Sequence, residues 1–155
     1  MPRLIRRIAC RCKALLGNRK GVEEMECVCD RENAPVQAGG QLFKAVNVSK
    51  GVLIASRVMW AGTSQSRRRG LLGRETIDAD EGAYIVPTQW IHMFGMQFPI
   101  DVAFLDSRGR VLHVCQALDP NRLSPIVWRA EGALELAAGT LQATGTEVGD
   151  TIELR

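Results

Sequence analysis

The spacing of apolar residues changes near residue 41, and that change divides the chain. Before it, Leu4, Ile5, Ile8, Ala9, Cys12, Leu15 and Leu16 share one arc at about 100° per residue, flanked by Arg3, Arg6, Arg7, Arg11 and Lys13. Pro2 suits a first helical turn and Gly17 its end, so a short basic amphipathic helix is predicted over residues 3–16. Beyond residue 41 the pattern is one of short β-rich runs. Residues 41–48 and 52–59 form a predicted hairpin turning at Ser49, Lys50 and Gly51. Val46 and Val48 share one parity of its first strand, and Val52, Ile54 and Val58 share one parity of its second. Further strands are predicted at residues 83–86, 100–105, 110–118, 133–136 and 151–154, with one short helix capped by Thr63 or Ser64 and running to Leu72 before Gly73. Short strands with frequent turns predict an all-β fold, a sandwich or barrel rather than a βαβ array.

Two segments follow from this pattern. Residues 1–40 hold the basic helix, an acidic patch and a linker over residues 33–40 that contains Pro35, Gly39 and Gly40. Residues 41–155 form a single mainly β domain, a size that suits one hydrophobic core.

Charge sharpens the division. The net charge of +3 is the sum of seven Lys and Arg and no acid in residues 1–20, one base against five acids in residues 21–40, and 12 bases against 12 acids in residues 41–155. A neutral domain with 5% aromatic residues lacks the basic face and stacking rings of a nucleic-acid binder. Residues 3–16 are therefore read either as a frayed terminus with solvated arginines or as the contact for an anionic membrane surface or partner. No stretch is long and apolar enough for a transmembrane segment and the first residues lack a secretory h-region, so the expected compartment is the cytoplasm.

Five cysteines argue against a disulfide framework. Cys10, Cys12, Cys27 and Cys29 would suffice for a tetrahedral zinc site, but one residue between the members of each pair is tighter than the usual two to four. On a helix Cys10 and Cys12 would also point to opposite sides, so helix and zinc exclude each other, and the helix is the favoured reading. No cofactor is predicted, and zinc at these cysteines is the less favoured alternative.

Three blocks of the domain form a pattern: GTSQSRRRGLLGR at residues 62–74, WIHMFGMQFPIDVAFLDSRGRV at residues 90–111 and ALELAAGTLQATGTEVGD at residues 133–150. In order and spacing they make residues 42–155 resemble the domain of unknown function 192 family, with Met93 where the related pattern often has Thr. The resemblance implies a compact β-sandwich of jelly-roll character and brings no catalytic residues with it.

Several polar residues sit where chemistry is plausible. Asp101 lies among Ile100, Val102, Ala103, Phe104 and Leu105, in a run that reads as covered on both faces. A buried carboxylate needs a cation or N–H donors, and Arg74 or Arg129 is the expected partner, with His92 or backbone N–H groups as alternatives. Glu135 raises the same question between Leu134 and Leu136, with an outward turn by alternation as the alternative. His92 and Met96 sit in a loop bounded by Pro87 and Pro99, where an imidazole beside the thioethers of Met93 and Met96 suits a soft metal, with His113 or Cys115 as further ligands. Packing is the commoner role for such Met and His side chains. Arg67, Arg68, Arg69 and Arg74 present guanidinium groups to a phosphate or carboxylate or, more simply, a solvated helix face with Arg74 turned inward. Cys115 reads as a buried structural thiol.

The reading that best unites these features is a small binding or accessory domain, holding a small ligand or a protein partner at one end of a β-sandwich, with His92, Asp101, Arg74, Arg129 and Met96 as candidate ligand-binding residues. The alternatives are an enzyme or metal protein built on His92 and Asp101 with Arg74 or Arg129, and an interaction protein tethered by its N-terminal helix.

Overall fold

The structure, a computed structural model, describes residues 41–155. The basic helix, the acidic patch, the linker and the four N-terminal cysteines lie outside the described residues.

Seven strands follow in the order β1 (Leu42–Asn47), β2 (Val52–Ala61), β3 (Glu81–Ile85), β4 (Ile100–Leu105), β5 (Val111–Leu118), β6 (Gly132–Ala137) and β7 (Ile152–Leu154). Two short helices interrupt them, α1 (Ser64–Arg69) before β3 and α2 (Thr140–Ala143) before β7. The strands hydrogen-bond in one sheet ordered β5-β4-β6-β3-β2-β1-β7. Its two edges approach each other: Arg110 bridges Thr151, and Val111 N–H donates to the Asp150 carbonyl at 2.8 Å. Gly109 permits this approach, since a Cβ there would collide with the Ile152 carbonyl and its φ of +78° suits glycine. The sheet is therefore curled, and edge groups that would otherwise be unpaired are partly used.

The predicted hairpin is present, with Gly51 at φ +68° in its turn. Its buried parity in β1 is Ala45 and Asn47, while Val46 is half-buried and Val48 exposed. Asn47 is accepted inside because its amide donates to Thr146 Oγ1 at 3.2 Å and Asp150 Oδ2 at 2.9 Å, and its carbonyl accepts the Lys50 N–H at 3.1 Å.

Two apolar clusters occupy the two faces of the sheet. The inner one receives side chains from all seven strands and from Leu141 of α2. The outer one gathers Ala61, Ala83, Ile85, Val102, Phe104 and Ala133 and is covered by Leu71, Ile91 and Met93 from the connections. Full burial of Phe104 or Leu134 contributes about 1.5 to 3 kcal/mol each.

The outer cover exists because β2 and β3 run parallel. A parallel pair cannot be joined by a tight turn and needs a crossover, and α1 lies in that crossover. Thr63 caps it reciprocally: its Oγ1 accepts the Ser66 N–H at 3.1 Å, and Ser66 Oγ accepts the Thr63 N–H at 2.9 Å. The helix stops at Gly70, not at the expected Gly73. Gly70 takes φ +40° and ψ −124°, a conformation that L side chains avoid, and the chain then turns Leu71 into the outer cluster.

Candidate functional site

The outer cover leaves a cleft of about 440 Å³ above β3 and β6. One wall is α1 with its exit, from Ser64 to Leu72, and the other is the segment of residues 87–96. That second wall is held by a ladder to residues 121–127. Met93 N–H donates to the Arg122 carbonyl at 2.8 Å, Ser124 N–H to that of Ile91 at 2.9 Å, and Val127 N–H to that of Gln89 at 2.8 Å. The extended backbone makes side chains alternate. Ile91 and Met93 pack beneath, while Trp90, His92 and Phe94 form an outward row with ring centroids 6.1 and 5.7 Å apart.

Glu135 lies at the floor. It projects from β6 on the outer face, level with Ala83 of β3 and Val102 of β4, neither of which offers a side-chain donor. The residue is 5% exposed, and burial alone raises its carboxyl from the ordinary 4.5 to about 8, with no hydrogen bond or charge contributing. Among the described residues no fully sealed side-chain oxygen lacks a partner, so the unpaired oxygens of Glu135 are those that reach the cleft. Gly70 brings α1 close over it: a Cβ on Gly70 would lie 3.5 Å from Glu135 Oε2. Of the two alternatives for Glu135, burial is the one observed and exposure to solvent is not. Alternation set the face correctly, but α1 and residues 87–96 cover that face.

His92 and Met96 both line this cleft, His92 exposed and Met96 half-buried. Asp101 does not join them. It is fully buried and stands level with Leu136 on the inner face, opposite the face that carries the cleft. The carboxylate accepts the Ala117 N–H at Oδ1, 2.8 Å, and the Leu141 N–H at Oδ2, 2.9 Å. The prediction of burial with a hydrogen-bonding partner is met by backbone N–H groups, and the preferred arginine partner is corrected. Arg74 is exposed, not turned inward, and binds Glu81 at 2.8 Å. Arg129 is also exposed. The His92 and Asp101 constellation with Arg74 or Arg129 is therefore not assembled.

The other candidates separate as well. His113 packs against Phe104 at 6.3 Å and Cys115 is half-buried on the same strand, with burial raising its thiol pKa. Neither lines the cleft that holds His92 and Met96. Among the described residues no three His, Cys, Asp or Glu side chains cluster as metal ligands. No helix among them is long and apolar enough to cross a membrane. Arg67, Arg68 and Arg69 do line the cleft, so the basic run of α1 contributes to the site rather than forming only a solvated face.

Comparison with known proteins agrees with this fold. The family described as Uncharacterized ACR, DUF192, matches residues 45–154. The chain belongs to the DUF192 family. A UPF0127 protein from Thermococcus sibiricus is 32% identical to this DUF192 chain over 113 residues, 70% of this chain and 72% of the relative. The crystal structure of a protein of unknown function from Novosphingobium aromaticivorans superposes with a TM-score of 0.66 at 22% identity, over 86% of this chain and 99% of its own. A second solved structure, from Sinorhizobium meliloti, superposes with a TM-score of 0.62 at 24% identity, over 76% and 97%. At these identities the structures bear on the fold alone. The DUF192 domain is mainly β, and its family is one of uncharacterised function.

Proposed function

We propose that this DUF192 domain is a binding module that takes a small ligand in the cleft between α1 and residues 87–96, with Glu135 as the hydrogen-bonding group of its floor. One observation carries the reading: a nine-tenths buried carboxyl group without a protein partner opens into a cleft walled by both apolar side chains and the arginines of α1. The Glu135 oxygens are open to the cleft and held by no protein group, so a ligand that accepts or donates a hydrogen bond there satisfies a poorly solvated carboxyl group. An apolar recess with a few convergent polar groups is the usual form of a small-molecule site. In this reading the curled sheet is a jelly-roll-like sandwich scaffold that presents loop-borne groups on one outer face, and the cytoplasm is its compartment.

Methyl-resolved NMR of the full chain tests the proposal. Benzoate, benzamide and benzylamine, added separately at millimolar concentration, probe the cleft with one ring and three charges. Binding of any of them is expected to shift the methyl signals of Leu71, Ile85 and Met96, which line the cleft, and to leave Ile54 of the inner cluster in place. Absence of any such shift for all three compounds would overturn the reading.

A further inference from the structure

We infer that the natural occupant of the cleft is a small organic anion, a carboxylate with an apolar body, held between the Glu135 carboxyl group and the arginines of α1. The inference rests on the ligand-binding reading above and adds to it the chemical class of the ligand.

Charge around the cleft decides between classes. Its lining includes Arg67, Arg68 and Arg69 and no acidic side chain other than Glu135. His92 is the one remaining titratable group that lines it, and the strands beside Glu135 contribute uncharged Ala83 and Val102. A cationic ligand would have to pass three guanidinium groups and then draw the proton from a carboxyl group held in an apolar floor. A neutral ligand would leave the guanidinium groups without an anionic partner. An anion meets both: the arginines supply charge at the rim, and the protonated carboxyl donates its O–H to a ligand oxygen.

Arg67 has donors to give. It is half-buried, and its guanidinium contacts are long, 3.5 Å to the Val86 carbonyl and 3.4 Å to Ser64 Oγ. These lie at the weak end of hydrogen-bond geometry, so an incoming carboxylate replaces little. The capping box fixes the first turn of α1 and Gly70 lies close to Ile85 and Glu135 of the sheet, which holds Arg67 beside the cleft. Leu71, Ile85, Ile91 and Trp90 supply apolar surface for the body of the ligand.

This arrangement couples anion binding to a proton. The donor at the floor exists only while Glu135 is protonated, and its carboxyl is raised by burial to about 8. Affinity for the anion therefore holds below that range and weakens about tenfold for each further pH unit.

The same three probes decide the class. With the full chain near neutral pH, benzoate is expected to bind at least about tenfold more tightly than benzamide, the size of one charge-assisted contact, and benzylamine is expected to leave the cleft methyl signals in place. Arg67→Gln should lower benzoate affinity by about tenfold. Glu135→Gln, which keeps a donor but does not titrate in this range, should retain benzoate binding and abolish its loss in alkali. Benzamide or benzylamine binding as tightly as benzoate would overturn the anion while leaving the cleft a binding site. Silence from all three would overturn both.

Discussion

The backbone N–H of Leu141 donates to Asp101 Oδ2 at 2.9 Å, joining the start of α2 to the start of β4. The other oxygen takes the N–H of Ala117, a residue held at φ +47° on β5. Asp101 thus ties three elements together from a single buried position, without a counter-charge.

Replacement of Asp101 by Asn tests that arrangement. An amide accepts only one of the two N–H groups and turns its own NH₂ toward the other. No ion pair is broken, so the cost is that of a lost hydrogen bond and an unsatisfied donor, about 1 to 3 kcal/mol. Urea unfolding of the Asp101→Asn variant should show a lower midpoint with an unchanged slope.

Asn47 plays a similar part at the other end of the sheet, bonding Thr146, Asp150 and the Lys50 backbone from a fully buried position. Asn47→Leu removes every one of those contacts; Thr146 keeps Thr144 and Asp150 keeps the Glu147 N–H, while the Lys50 N–H loses its partner and the tie between β1 and residues 146–150 is lost. A loss of about 2 to 4 kcal/mol is expected in urea, larger than for a typical surface change.

Glu135 gives stability a pH dependence of definite sign. Its carboxyl sits at about 8 when folded against an ordinary 4.5, so across that interval the folded chain keeps a proton that the unfolded chain has released. Its contribution is fully present below the lower value and is lost as pH rises through the higher one, at up to about 1.4 kcal/mol per unit. Glu135→Gln removes the titration. The variant should match the parent near the acid end and exceed it by several kcal/mol, to order of magnitude, in mild alkali, as read from urea melts at a series of pH values.

Much of the fold was legible in local patterning. The run Ile100–Leu105 is β4 as predicted, and the hairpin from Leu42 to Ala61 turns where Ser49, Lys50 and Gly51 placed it. Three features were not legible, each because it depends on long-range packing. The parallel β2 and β3 pair arises from a crossover, whose presence the short helix alone does not reveal. The apolar run around Asp101 marks its burial, but backbone donors from Ala117 and Leu141 leave no mark in a sequence, whereas arginines such as Arg74 and Arg129 do. Glu135 stood on the correct face by alternation, yet its burial depends on α1 and residues 87–96 covering that face. The clue available in sequence was the flanking run of Ala133, Leu134, Leu136 and Ala137, apolar on both parities as in a strand covered on both sides.

The protonation of Glu135 is the point on which the binding account turns. Carbon-13 NMR of the glutamate side-chain carboxyl groups in the full chain, assigned by comparison with Glu135→Gln, measures it directly. The account predicts one resonance that titrates near 8, well above the ordinary 4.5, and moves further into alkali when benzoate is added. A Glu135 resonance titrating at or below 4.5 would show a carboxylate already ionised in the folded protein, and the donor at the floor of the cleft would not exist.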